Sequence, residues 1–180
     1  MFTRLTSLLK RFIRDQKGLS ALEFALIAPV MLGLYLGSVQ ATLALNADRK
    51  LAAAANTVGD LVTQDDFITT NEMTQVFQAA DLIFAPYSTD SLAMVVTSVV
   101  LDSEGDPIVH WSSARGTNAL LVGSDVDAPA NLIDPGGSII MVKADYAYHN
   151  LIGGSELDDL HMRKTVYLRP RISRIVTRIP

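Results

Sequence analysis

From Phe24 to Ala47 the chain runs for 24 residues without a charged side chain. At 1.5 Å per residue, a helix of that length reaches about 36 Å, enough to cross a hydrocarbon core of about 30 Å. The apolar spacing continues past the span: Leu51, Ala54, Ala55, Val58, Leu61 and Val62 recur every three or four residues. One helix is therefore predicted over residues 19–63. A second is predicted with Asn71 as its cap before Glu72, apolar positions at Val76, Phe77, Ala80, Leu82, Ile83 and Phe84, and a stop at Pro86.

From Leu92 onward the pattern changes to short runs rich in β-branched residues. Residues 93–101 and 108–111, separated by a turn from Asp102 to Pro107, predict a hairpin. A stretch rich in Asp, Ala and Pro from Gly123 to Gly137 predicts a linker, residues 138–148 a third strand and residues 165–176 a fourth. In that last stretch the alternation of Arg169, Arg171 and Arg174 with Ile172 and Ile175 suits an edge strand protected by charge. Strands that follow helices, with none interposed, predict an α+β fold with a mainly antiparallel sheet. The expected organisation is a leader at 1–18, a transmembrane helix at 19–45 and an extracytoplasmic α+β domain at 46–180.

Charge sharpens that division, because the net charge of -4 hides three zones. Residues 1–18 carry Arg4, Lys10, Arg11, Arg14 and Lys17 against Asp15 alone, whereas residues 51–162 hold sixteen acids against Arg115 and Lys143. Arg163, Lys164, Arg169, Arg171, Arg174 and Arg178 follow with no further acid, either as a solvated strand face or as a basic surface for an acidic neighbour. So acidic a body argues against nucleic acid as a partner. The basic leader is expected in the cytoplasm and the body across the membrane, in a bacterium the periplasm. The apolar run exceeds the core of an ordinary signal peptide, and residues 41–47 offer no clear small-x-small processing site, which favours a retained anchor. Without cysteine, no disulfide framework or thiolate site is available.

Glu23 breaks the apolar pattern about one turn inside the helix, where a carboxylate at mid-bilayer depth costs about 2.5–3.5 kcal/mol on insertion scales. It can be an interfacial residue reaching headgroup water or Lys17. The order Lys17-Gly18-Leu19-Ser20-Ala21-Leu22-Glu23-Phe24, however, resembles a type IV prepilin processing site. With Ala25-Leu26-Ile27-Ala28-Pro29-Val30, it resembles the TadE/TadG family of tight-adherence (Tad/Flp) pilus proteins. That resemblance implies cleavage between Gly18 and Leu19 by a prepilin peptidase, and retention of a pilin-like helix whose first half spans the membrane. It also implies a register role for Glu23 and Phe24, with the Glu23 carboxylate paired to the terminal amine of a neighbouring subunit. The implied partners are the peptidase, other Tad pilins, the assembly platform and the inner membrane. The implied role is pilus biogenesis, surface adherence and biofilm formation.

Gly33 and Gly37 form a small-xxx-small pair that either packs helices or faces lipid, and Pro29 is expected to kink the span. Shorter pieces around Thr97-Ser98-Val99, Trp111-Ser112, Pro135-Gly136-Gly137 and residues 167–171 also resemble TadE-like proteins. The chain is longer than the major Flp pilin and lacks the Asp-x-Ser-x-Ser adhesion signature of larger TadG-type proteins, which implies a minor subunit. Against an enzyme, His110, His149 and His161 have no metal-ligand spacing, and no Gly-x-Ser-x-Gly elbow or phosphate-binding loop occurs. Asp125, Asp127, Asp158 and Asp159 supply too few oxygens for calcium. No catalytic residue, metal or cofactor is expected. A signal-anchored periplasmic binding or sensory module is the alternative, and a secreted enzyme cut near Ala44 the third reading.

Overall fold

A computed structural model describes residues 17–148 and 160–180. The basic leader up to residue 16, His149, Gly153, Gly154, Asp158 and Asp159 lie outside the described residues. The fold is α+β. Helix α1 spans Lys17–Thr63 and continues through Pro29. The chain divides into two compact units, residues 1–43 and 44–180.

In the second unit, Ala44, Ala47, Leu51, Ala54, Ala55, Val58 and Val62 are buried and mark one face of α1. They share a core with helix α2 (Thr70–Phe84) and with strands β2 (Leu92–Leu101) and β4 (Ser138–Tyr148). Gly59 lies where the helix comes close to the sheet, since a Cβ there would overlap the Leu168 side chain and touch that of Val142.

The cap of α2 is Thr69 rather than Asn71. The Thr69 side chain accepts from the Glu72 N–H at 3.2 Å, while the Glu72 carboxylate accepts from the Thr69 N–H at 2.8 Å. This reciprocal pair needs the acid three positions after the cap, which Thr69-Thr70-Asn71-Glu72 provides and Asn71 does not. Thr69→Ala is expected to cost about 1 kcal/mol, read as a lower thermal midpoint.

The sheet has the order β3-β2-β4-β5, with β3 at Pro107–Arg115, β5 at Leu160–Leu168 and every neighbouring pair antiparallel. The β2–β3 turn closes on Asp102, whose Oδ1 accepts from the backbone N–H groups of Glu104, Gly105 and Asp106 at 2.8–2.9 Å. The Asp106 N–H above all holds the Asp102 carboxyl below its ordinary value of 3.8, and hydrogen bonds from Thr69 hold Glu72 below 4.5. A depressed folded pKa adds stability above the unfolded value that is lost as pH falls through the folded one. The amides of residues 104–106 should therefore lose exchange protection at pH values below 3.8. Asp102→Asn should keep the turn and flatten that dependence.

Two segments differ from expectation. The stretch from Gly123 to Gly137 is not a bare linker: Asp125 bridges Ile108, and a 3-10 turn forms at Ala130–Leu132. Val126, Ala128, Leu132 and Ile133 pack with Val99, Ile139 and Met141 in a second, smaller core. Along β4, Ile140, Val142 and Ala144 thus serve one core, and Ile139 and Met141 the other. The fourth strand, expected at 165–176, runs instead over Leu160–Leu168. Pro170 follows it without an N–H to donate. Residues 171–175 form a bend rather than an edge strand. The Arg171 N–H donates to Thr63 O at 3.0 Å, satisfying a carbonyl in the last turn of α1. The chain then forms β6 (Thr177–Ile179), parallel to β1 (Phe67–Thr69). Trp111 fixes this return by donating its Nε1–H to Val176 O at 2.7 Å.

Candidate functional site

The first part of α1 places Gly18, Leu19, Glu23, Phe24, Pro29, Gly33 and Gly37 on one continuous helix. Leu19 and Glu23 stand one turn apart on the same side. Large apolar side chains are exposed along the segment, including Leu19, Leu22, Phe24, Leu26, Ile27, Val30, Met31, Leu34 and Tyr35, with Phe24 at 71%. A helix apolar all round belongs in lipid or among other helices. Two of its hydroxyls bond back to the helix, Ser38 donating to Tyr35 O at 2.7 Å and Thr42 to Ser38 O at 2.8 Å, so neither of these exposes an unsatisfied donor. Glu23 is exposed and has no ion pair among the described residues. A Cβ at Gly18, Gly33 or Gly37 would meet no atom within 4 Å, so close approach by another helix is open at each.

The sheet separates the other candidate groups. His110 lies on β3 and His161 on β5, the two outer strands. Among the described residues no group of three or more His, Asp or Glu could hold a metal ion. The backbone of Asp125 pairs with that of Ile108.

The basic stretch after Met162 finds much of its acidic complement within the fold. Arg163 pairs with Asp145, Lys164 with Asp48 at 2.8 Å, Arg169 with Asp134 at 3.1 Å and Arg171 with Asp60. These pairs are partly or largely exposed and individually contribute little, about 0–1 kcal/mol each. Arg174 is the exception, with no side-chain partner among the described residues. It lines a cavity of about 440 Å³ with Asp134, Gly137, Ser138, Arg169 and Ser173. The sequence carried no direct signal for this cavity. Its two sides are the Pro135-Gly136-Gly137 turn and the Arg169-Pro170 bend, distant in sequence and joined by the Ser138 N–H to Arg174 O bond at 2.8 Å.

A helix long and apolar enough to cross a membrane, together with an α+β unit, defines a membrane-anchored α+β protein. Residues 18–60, about a quarter of the chain, match the family model for TadE-like protein. The matched segment covers Gly18, Glu23 and the exposed apolar part of α1. No curated protein and no solved structure matches the chain.

Proposed function

We propose that the chain is a minor pilin-like subunit of a Tad pilus, inserted with residues 1–18 in the cytoplasm and residues 46–180 in the periplasm. A prepilin peptidase removes the leader between Gly18 and Leu19. The helix from Leu19 then packs among other Tad pilins or in the complex that primes the fibre, with Glu23 and Phe24 setting register and Gly33 and Gly37 permitting close approach. Pro29 supplies a break in the backbone hydrogen-bond ladder that eases extraction from the bilayer. The chain acts through assembly, in contact with the peptidase, the assembly platform and the inner membrane.

The observation that carries this reading is a lone carboxylate, Glu23, exposed on an apolar helix five residues after Gly18 within a TadE-like segment. Intramembrane carboxylates are retained where a partner awaits them, and the amine created at Leu19 by cleavage is such a partner. The test is the N-terminal residue of membrane-extracted protein, by mass spectrometry, for wild type and Gly18→Arg. The expected result is a start at Leu19 that is lost in Gly18→Arg. A wild-type protein keeping its leader would favour a signal-anchored periplasmic binding or sensory module, and a start beyond Ala41 a secreted domain.

A further inference from the structure

We propose that the cavity between the start of β4 and the bend after β5 is a carboxylate-binding site, with Arg174 and Ser138 as its recognition groups. Its volume, about 440 Å³, falls in the range of small-ligand sites and admits an acidic side chain with its flanking backbone.

Two independent features point to an anionic ligand. Arg174 lines the cavity and its side chain has no partner among the described residues, while Arg163, Lys164, Arg169 and Arg171 of the same basic stretch each hold an internal acid. Guanidinium presents a fork of donors matched to a carboxylate. Ser138, also lining the cavity, is 4% exposed, and its Oγ has no hydrogen-bond partner. Buried hydroxyls are nearly always satisfied, so an orphan beside a cationic cavity marks a place where a ligand oxygen completes the bonding.

The surroundings select the charge of that ligand. Arg169 and Arg174 face one acid, Asp134, so the lining carries a net charge of +1. That suits a single carboxylate group, whereas a phosphate dianion would concentrate two charges beside Asp134. The Arg169–Asp134 contact at 3.1 Å shows that a carboxylate already fits the rim. Backbone bonds hold the walls: the Ser138 N–H donates to Arg174 O at 2.8 Å, the Gly137 N–H to Asp134 O at 2.8 Å, and the Ser173 hydroxyl to Ile175 O at 2.9 Å. The carboxylate could come from an acidic peptide segment of a partner or from a free small acid. The proposal is independent of processing at Gly18.

The test is a titration of the full chain in detergent micelles with a blocked tri-glutamate peptide, with succinate and inorganic phosphate as competitors. Arg174→Gln should weaken peptide binding about tenfold or more, the scale of a lost charge-assisted hydrogen bond. Ser138→Ala should weaken it less and leave the melting temperature unchanged or higher, because it deletes an unsatisfied buried hydroxyl. Asp134→Asn should strengthen binding by freeing Arg169, a gain that misfolding cannot imitate. Arg163→Gln, which removes an equal charge outside the cavity, should leave binding unchanged. Competition by succinate would identify free acids as ligands, and peptide binding without it a partner segment. Equal weakening by Arg163→Gln and Arg174→Gln, no gain in Asp134→Asn, or stronger competition by phosphate than by succinate would overturn the assignment.

Discussion

Trp111→Ala is expected to destabilise the α+β unit by about 3–5 kcal/mol, much of the stability of an ordinary domain. Trp111 is buried in the main core, and its indole N–H holds the Val176 carbonyl at 2.7 Å. Truncation would open a cavity and also leave that carbonyl without its donor. Trp111→Phe separates the two effects, since it keeps much of the packing and removes only the N–H. It should cost about 1–3 kcal/mol, the penalty for an unsatisfied buried group. Denaturant unfolding measures both variants, and amide exchange in residues 176–179 reports whether β6 detaches first. Equal destabilisation by Phe and Ala would assign Trp111 to hydrogen bonding rather than to packing.

Glu23→Ala should leave cleavage at Leu19 intact and reduce incorporation into fibres at least a hundredfold. The scale follows from breaking a buried ion pair, about 3–5 kcal/mol, because the neighbouring amine would remain without its carboxylate. Bilayer insertion itself should improve, since a charge in lipid is lost. The measurement is the ratio of this subunit in sheared fibres to that in membranes, for wild type, Glu23→Ala and Glu23→Gln. Unchanged incorporation in both variants would remove Glu23 from the assembly interface. A defect in Ala rescued by Gln would show that a hydrogen bond suffices without the charge.

The helical part of this protein was largely legible because its signals are local. The uncharged run from Phe24 and the spacing from Leu51 to Val62 lie within one helix, Lys17–Thr63, and Glu23 stands out as the acid immediately before that run. The start of α2 was misplaced by two residues because Asn71 is a good capping residue on its own, whereas the Thr69–Glu72 reciprocity is better. The end of the sheet was less legible. Alternating Arg and Ile after Leu168 mimic a strand, yet the partners of that stretch, Thr63 and Asp66, lie more than a hundred residues earlier. Scattered Val126, Leu132 and Ile133 among Asp, Ala and Pro gave no periodicity, so the smaller core was hidden. The cavity at Ser138 and Arg174 was hidden for the same reason, being assembled from two turns that meet only in the fold.

The route of residues 171–179 also fixes an order of events during synthesis. Arg171, Val176 and Thr177 supply the hydrogen bonds that reach Thr63, Trp111 and Asp66, and among the described residues β6 is the strand that pairs with β1. A chain emerging N-terminal end first presents α1, α2 and β2–β4 well before these residues exist outside the ribosome. The α+β unit is therefore closed by a segment that arrives late, and a nascent chain held short of residue 171 has its core assembled in part and its closing clasp absent.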